Sequence, residues 1–77
     1  MVPRLAPIHW RKLEKVFLAN GFSFDGQQGS HRKYSKPGIK RPIVIPRRSD
    51  IPPSIIANNL KTAGLSVEDY FRLLDEI

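Results

Sequence analysis

Apolar residues recur at helical spacing from Ile8 to Asn20. Trp10, Leu13, Val16 and Phe17 form one stripe, and Arg11, Lys12, Glu14 and Lys15 take the other side. The pattern predicts a helix over these residues, with Pro7 acceptable in its first turn and Asn20-Gly21 as a left-handed stop. Trp10 reads here as a core residue. From Phe22 the pattern becomes strand-like: Phe22-Ser23-Phe24, then His31 to Ser35, then Ile43-Val44-Ile45 between Pro42 and Pro46. Flanking prolines suit an edge strand or strand ends, because proline cannot donate to a central ladder. Helical spacing returns at Ile56, Leu60 and Ala63, after Pro53 in a first turn and before Gly64 as a stop. Ser66-Val67-Glu68-Asp69 then resembles a capping box, with Leu65 and Tyr70 at the staple positions. A last helix runs to about Ile77 and buries some of Tyr70, Phe71, Leu74 and Ile77.

The predicted order is helix, three short antiparallel strands, helix, short helix. This is an α+β fold in which helices cover one face of a small sheet and leave the other, polar and basic, open. Two registers compete for the first hairpin. Asp25-Gly26 is the stronger two-residue turn signal by itself. A turn at Gln28-Gly29, with Gly26 as a bulge, gives two strands of useful length and is preferred. Lys36-Pro37-Gly38 makes the next turn. Strand alternation puts His31, Lys33 and Ser35 on one face and Arg32 and Tyr34 on the other. With Tyr34 packed inward, His31 and Lys33 face solvent together. With Tyr34 outward as a base-stacking residue, the assignment reverses.

A chain of 77 residues reads as one domain, 1–77, with residues 1–6 as an N-terminal arm. Cysteine is absent, which removes disulfides and thiolate metal sites. No apolar run is long enough to span a bilayer, and Met1 to Pro7 lacks the apolar core of a signal peptide. The expectation is a cytoplasmic protein with no membrane partner. The net charge of +6 is unevenly spread. Between Asp25 and Asp50 there is no carboxylate, but seven cations: Arg32, Lys33, Lys36, Lys40, Arg41, Arg47 and Arg48. Glu68, Asp69, Asp75 and Glu76 make the last helix acidic. A one-signed stretch is an electrostatic footprint for a polyanion, or else only a solvated face.

His31 sits inside that stretch, and histidine is the side chain whose unperturbed pKa, about 6.5, suits proton transfer near neutrality. RNA carries its own nucleophile, the 2′-hydroxyl. A protein need only move protons and neutralise charge developing on phosphorus. His31 is therefore the candidate catalytic group, and the seven cations are the candidate RNA-binding residues. A lone histidine is more often an ordinary surface residue, and His9 is read that way. Neither histidine has a recognised ligand spacing and the carboxylates are scattered, so no metal or cofactor is expected. Two other readings stay open: a non-catalytic double-stranded-RNA-binding module, and a protein-interaction domain whose basic face meets an acidic partner. For any such partner, Ile39 and an outward Tyr34 are the candidate apolar anchors.

Several segments together resemble the HicA family of toxin ribonucleases from toxin–antitoxin systems. They are Pro7-Ile8-His9-Trp10-Arg11-Lys12-Leu13, Asn20-Gly21-Phe22, Gln28-Gly29-Ser30-His31, Ile43-Val44-Ile45-Pro46 and Ala63-Gly64-Leu65-Ser66-Val67-Glu68-Asp69-Tyr70. The resemblance runs from about Pro7 to Leu74. It implies a double-stranded-RNA-binding-domain-like fold, cleavage of mRNA that arrests growth, and neutralisation by a HicB-type antitoxin. It places the family's catalytic histidine at His31. Arg32 stands where many members have a second histidine, and Pro37-Gly38-Ile39-Lys40 is a longer, more basic turn than the family pattern.

Overall fold

Six elements follow in the predicted order: α1 (Trp10–Ala19), β1 (Ser23–Gln28), β2 (His31–Ser35), β3 (Ile43–Pro46), α2 (Pro53–Ala63) and α3 (Val67–Glu76). The computed structural model describes residues 4–77, so the first three residues of the expected N-terminal arm lie outside the described residues. The strands form one antiparallel sheet in the order β1-β2-β3, which leaves the proline-flanked β3 at an edge. Both α1 and α2 pack against β3, and α3 packs against α1. The layout is the predicted α+β arrangement.

The first hairpin turns at Gly29-Ser30, one residue beyond the preferred Gln28-Gly29 and well past Asp25-Gly26, so its pairing is offset from the expected register although the bulge at Gly26 forms. Gln28 pairs with His31, and Gly29-Ser30 makes the connection. Gly29 has φ +60°, and glycine at the first of two turn positions is the pattern of a type II′ hairpin, whose twist matches the strands. The ladder is irregular between Phe24 and Gln27, and Gly26, at φ +110°, lies in that bulge.

The first helix starts two residues later than its periodicity suggests. Ile8 is drawn into a backbone bridge with Ile51, exchanging N–H···O bonds of 3.2 and 2.8 Å, and so cannot enter the helix. His9 becomes the N-cap, its Nδ1 accepting from the Arg11 N–H at 3.2 Å. The expected stripe is buried as read, and Trp10, Leu13, Val16 and Phe17 join Tyr34, Ile43, Ile45, Ile51, Ile56 and Leu60 in the core. At the other end, the Ser66 hydroxyl accepts from the Asp69 N–H at 3.1 Å. The Asp69 carboxylate turns to Arg72 (3.0 Å) instead of closing the capping box. In α3 it is Tyr70 and Leu73 that are buried, while Ile77 is exposed, because the helix turns a slightly different face to α1 than Leu74 and Ile77 would define.

Candidate nucleic-acid interface

Two local features place His31. The Gly29-Ser30 turn makes it the first residue of β2, and the sheet's alternation then points it away from the helices. Gln28 lies across from it on β1 and Pro46 on β3. The side chain is exposed and makes no hydrogen bond to another described residue. Lys33 follows on the same face, about 6.6 Å further along the strand. The two help line a shallow concavity of about 500 Å³ with Asp25, Gln28 and Val44. Val44, paired with Lys33, is 37% exposed.

In the sequence, Asp25 and Gln28 stand out only as turn residues, in the Gln28-Gly29-Ser30-His31 segment and as the edge of the acid-free stretch, not as candidate site residues. Gln28 follows from the hairpin register, as the cross-strand neighbour of His31. Asp25 comes to this face through the bulge, and its Oδ2 accepts from the Ser35 hydroxyl at 2.6 Å. The open face is therefore polar as expected, but it carries a carboxylate beside its cation.

Below the sheet, β2 is tied to α1 by a polar cluster. Tyr34 is fully buried, which settles its orientation inward and removes it as a stacking residue or partner anchor. Its hydroxyl donates to Glu14 Oε2 and accepts from Arg32 Nε at 2.9 Å. Arg32 also reaches Glu14 with Nη2 at 3.1 Å and Gln27 with Nη1 at 3.0 Å. Burial, reinforced by the hydrogen bond to Glu14, pushes the Tyr34 phenol above its ordinary range, against the pull of Arg32. These contacts hold β2 in a fixed rotation, and that rotation presents His31 and Lys33 to solvent.

The seven cations do not share one face. Only Lys33 stands beside His31. Arg32 lies on the helix side, paired with Glu14 and stacked 4.2 Å from the Phe24 ring centroid. Lys36 lies beside Phe22 and Gly21, the residues that follow α1. Lys40 and Arg41 border a separate concavity of about 640 Å³ with Lys61 of α2. Arg47 and Arg48 follow β3 directly, at the end of the sheet where β2 begins. Ile39 is half-buried against the core.

One exposed imidazole beside one ammonium, in an open concavity, can move a proton next to a bound phosphate. Among the described residues no three His, Cys, Asp or Glu side chains gather to hold a metal ion, and no helix is long and apolar enough to cross a membrane. No curated protein matches the sequence. A family model does: that of the HicA toxin of bacterial toxin–antitoxin systems matches residues 10–65. The match covers α1, the whole sheet and α2, and includes His31, while α3 lies beyond it.

Proposed function

The chain belongs to the HicA toxin family of toxin–antitoxin systems, and on that premise we propose that it is an endoribonuclease cleaving mRNA without a metal ion, with His31 in proton transfer. The observation that supports this reading best is the exposure of His31 on the open sheet face beside Lys33. In the reaction, His31 takes the proton of a 2′-hydroxyl as that oxygen attacks the adjacent phosphorus. The bond from phosphorus to the 5′-oxygen breaks, and the leaving oxygen takes a proton from solvent. Lys33 balances the charge that builds on the non-bridging oxygens. The products are a 2′,3′-cyclic phosphate and a 5′-hydroxyl.

Purified protein is expected to cut a long transcript in the presence of EDTA. One 2′-deoxy substitution at a mapped cleavage site should silence that site alone. Cutting at the deoxy position, or loss with EDTA that a divalent ion restores, would overturn the mechanism. Binding without any cutting would select the binding-module reading instead.

Lys33, Lys36, Lys40, Arg41, Arg47 and Arg48 supply phosphate contacts from several sides of the molecule, and Arg32 contributes by holding β2. If four phosphates of single-stranded RNA are neutralised, log affinity falls with log salt at a slope of about −3. Removing Arg47 and Arg48 together should flatten the slope by about 1.4 and weaken all sequences alike. A sequence-selective loss would count against this assignment.

The family implies an antitoxin partner. A HicB-type antitoxin that covers His31 competes with RNA for Lys33 and for the arginines that follow β3 at the same end of the sheet, and opposite charge speeds its capture. With Tyr34 buried, Val44 in the His31 concavity is the apolar contact available to it.

A further inference from the structure

We infer that Arg11 and Arg47, gathered over the indole of Trp10, form a second phosphodiester site, so that bound RNA continues from His31 around the β1–β2 end of the sheet. This inference rests on the ribonuclease reading above.

Three guanidinium groups from three parts of the chain converge on one ring. The central carbon of Arg11 lies 4.9 Å from the Trp10 ring centroid, and those of Arg32 and Arg47 lie 5.3 Å from it. Attraction to the indole face offsets part of their mutual repulsion. Glu14 neutralises Arg32 alone. Arg11 and Arg47 are both exposed, and neither has a carboxylate partner among the described residues. An oxyanion between two such forks gains paired, charge-assisted hydrogen bonds and relieves the repulsion. Side chains must hold it, because the nearby helix amides are occupied. The Trp10 N–H donates to the Arg48 carbonyl (3.0 Å), that of Arg11 to His9 Nδ1, and those of Lys12 and Leu13 to the His9 carbonyl.

The cluster adjoins the proposed catalytic residue through the backbone. The Arg47 N–H donates to the Ser30 carbonyl at 2.7 Å. Ser30 immediately precedes His31, and Pro46, which immediately precedes Arg47, is the cross-strand partner of His31. His31 and the Trp10 cluster thus occupy the same end of the sheet on opposite faces, joined around the Gly29-Ser30 turn. A strand with its scissile phosphate at His31 brings neighbouring phosphates to Arg47 and Arg11.

Trp10 is the chain's only tryptophan, so its fluorescence reports on this site directly. The full chain carrying His31→Ala, which leaves RNA intact, is titrated with an RNA oligonucleotide and separately with inorganic phosphate. RNA should change the emission saturably. Adding Arg11→Gln, or Arg47→Gln as a second variant, should weaken RNA binding about tenfold. The Arg11 variant should also flatten the salt slope by about 0.7. With His31 present, Arg11→Gln should raise KM for a long transcript and leave kcat intact. Unchanged affinity, slope and KM in both arginine variants would overturn the site while leaving the ribonuclease reading in place. So would saturation by inorganic phosphate at concentrations where the same phosphate content of RNA has no effect, which would mark a free-phosphate site. Failure of the unsubstituted chain to bind RNA at all would remove the ribonuclease reading, and this site with it.

Discussion

His31→Ala should retain the fold and lose cleavage, with the rate on a long transcript falling by about 10²- to 10⁴-fold, the usual contribution of a positioned acid or base. The fold should survive because the side chain is exposed and makes no hydrogen bond to another described residue. Exposed changes of this kind usually shift stability by no more than about 0.5 kcal/mol. RNA affinity should change little, since the phosphate contacts assigned above come from lysines and arginines. Cleavage rate, binding constant and thermal midpoint measured on one preparation separate these outcomes, and growth arrest on expression should disappear with the rate. Full cleavage by the variant would remove His31 from the mechanism. A large fall in the thermal midpoint would make it structural.

What the sequence disclosed is what local spacing controls. The α1 stripe, the Gly29 turn with its bulge at Gly26, the Gly64 stop and the Ser66 cap each depend on residues within a few positions of one another. From the hairpin register, the alternation of β2 left one question, the direction of Tyr34. Its burial answers it in favour of an exposed His31. Contacts between distant segments were not legible. The Ile8–Ile51 bridge shortened α1, and no periodicity in either segment announces it. Glu14 and Arg32 are 18 residues apart, so a count of charges records a cation in the basic stretch where the fold has already paired it. The convergence of Arg11, Arg32 and Arg47 on Trp10 has the same origin, in three segments that only the packed sheet brings together. Asp25 marked the edge of the acid-free stretch in the sequence, yet the bulge carries it to the face of His31.

Tyr34→Ala should nearly abolish stability, whereas Tyr34→Phe should only reduce it. A chain of 77 residues has roughly 4–12 kcal/mol of total stability. Truncating a fully buried aromatic typically costs about 3–5 kcal/mol, and here it also strips Glu14 and Arg32 of a shared partner. Tyr34→Phe keeps the ring in the core but removes the hydroxyl, at a cost of about 1–3 kcal/mol. The two variants also differ in function: Tyr34→Phe should cleave RNA at neutral pH because β2 keeps its rotation, while Tyr34→Ala should lose activity by unfolding. An alkaline effect accompanies them. Burial and the bond to Glu14 raise the Tyr34 phenol above its ordinary value of 10.0, and burial raises Tyr70 in the same direction. The folded chain therefore holds these protons more tightly than the unfolded one. Their contribution to stability is complete below about pH 10 and is lost as pH rises through the raised folded values. Urea unfolding across an alkaline series, with tyrosinate absorbance followed in parallel, should show stability falling and ionisation coinciding with unfolding. In Tyr34→Phe the fall should be shallower, with the share of Tyr70 remaining. An unchanged alkaline slope in that variant would mean that the Glu14–Tyr34–Arg32 cluster does not hold the phenolic proton. A Tyr34→Ala protein with an unaltered urea midpoint would mean that it does not hold β2.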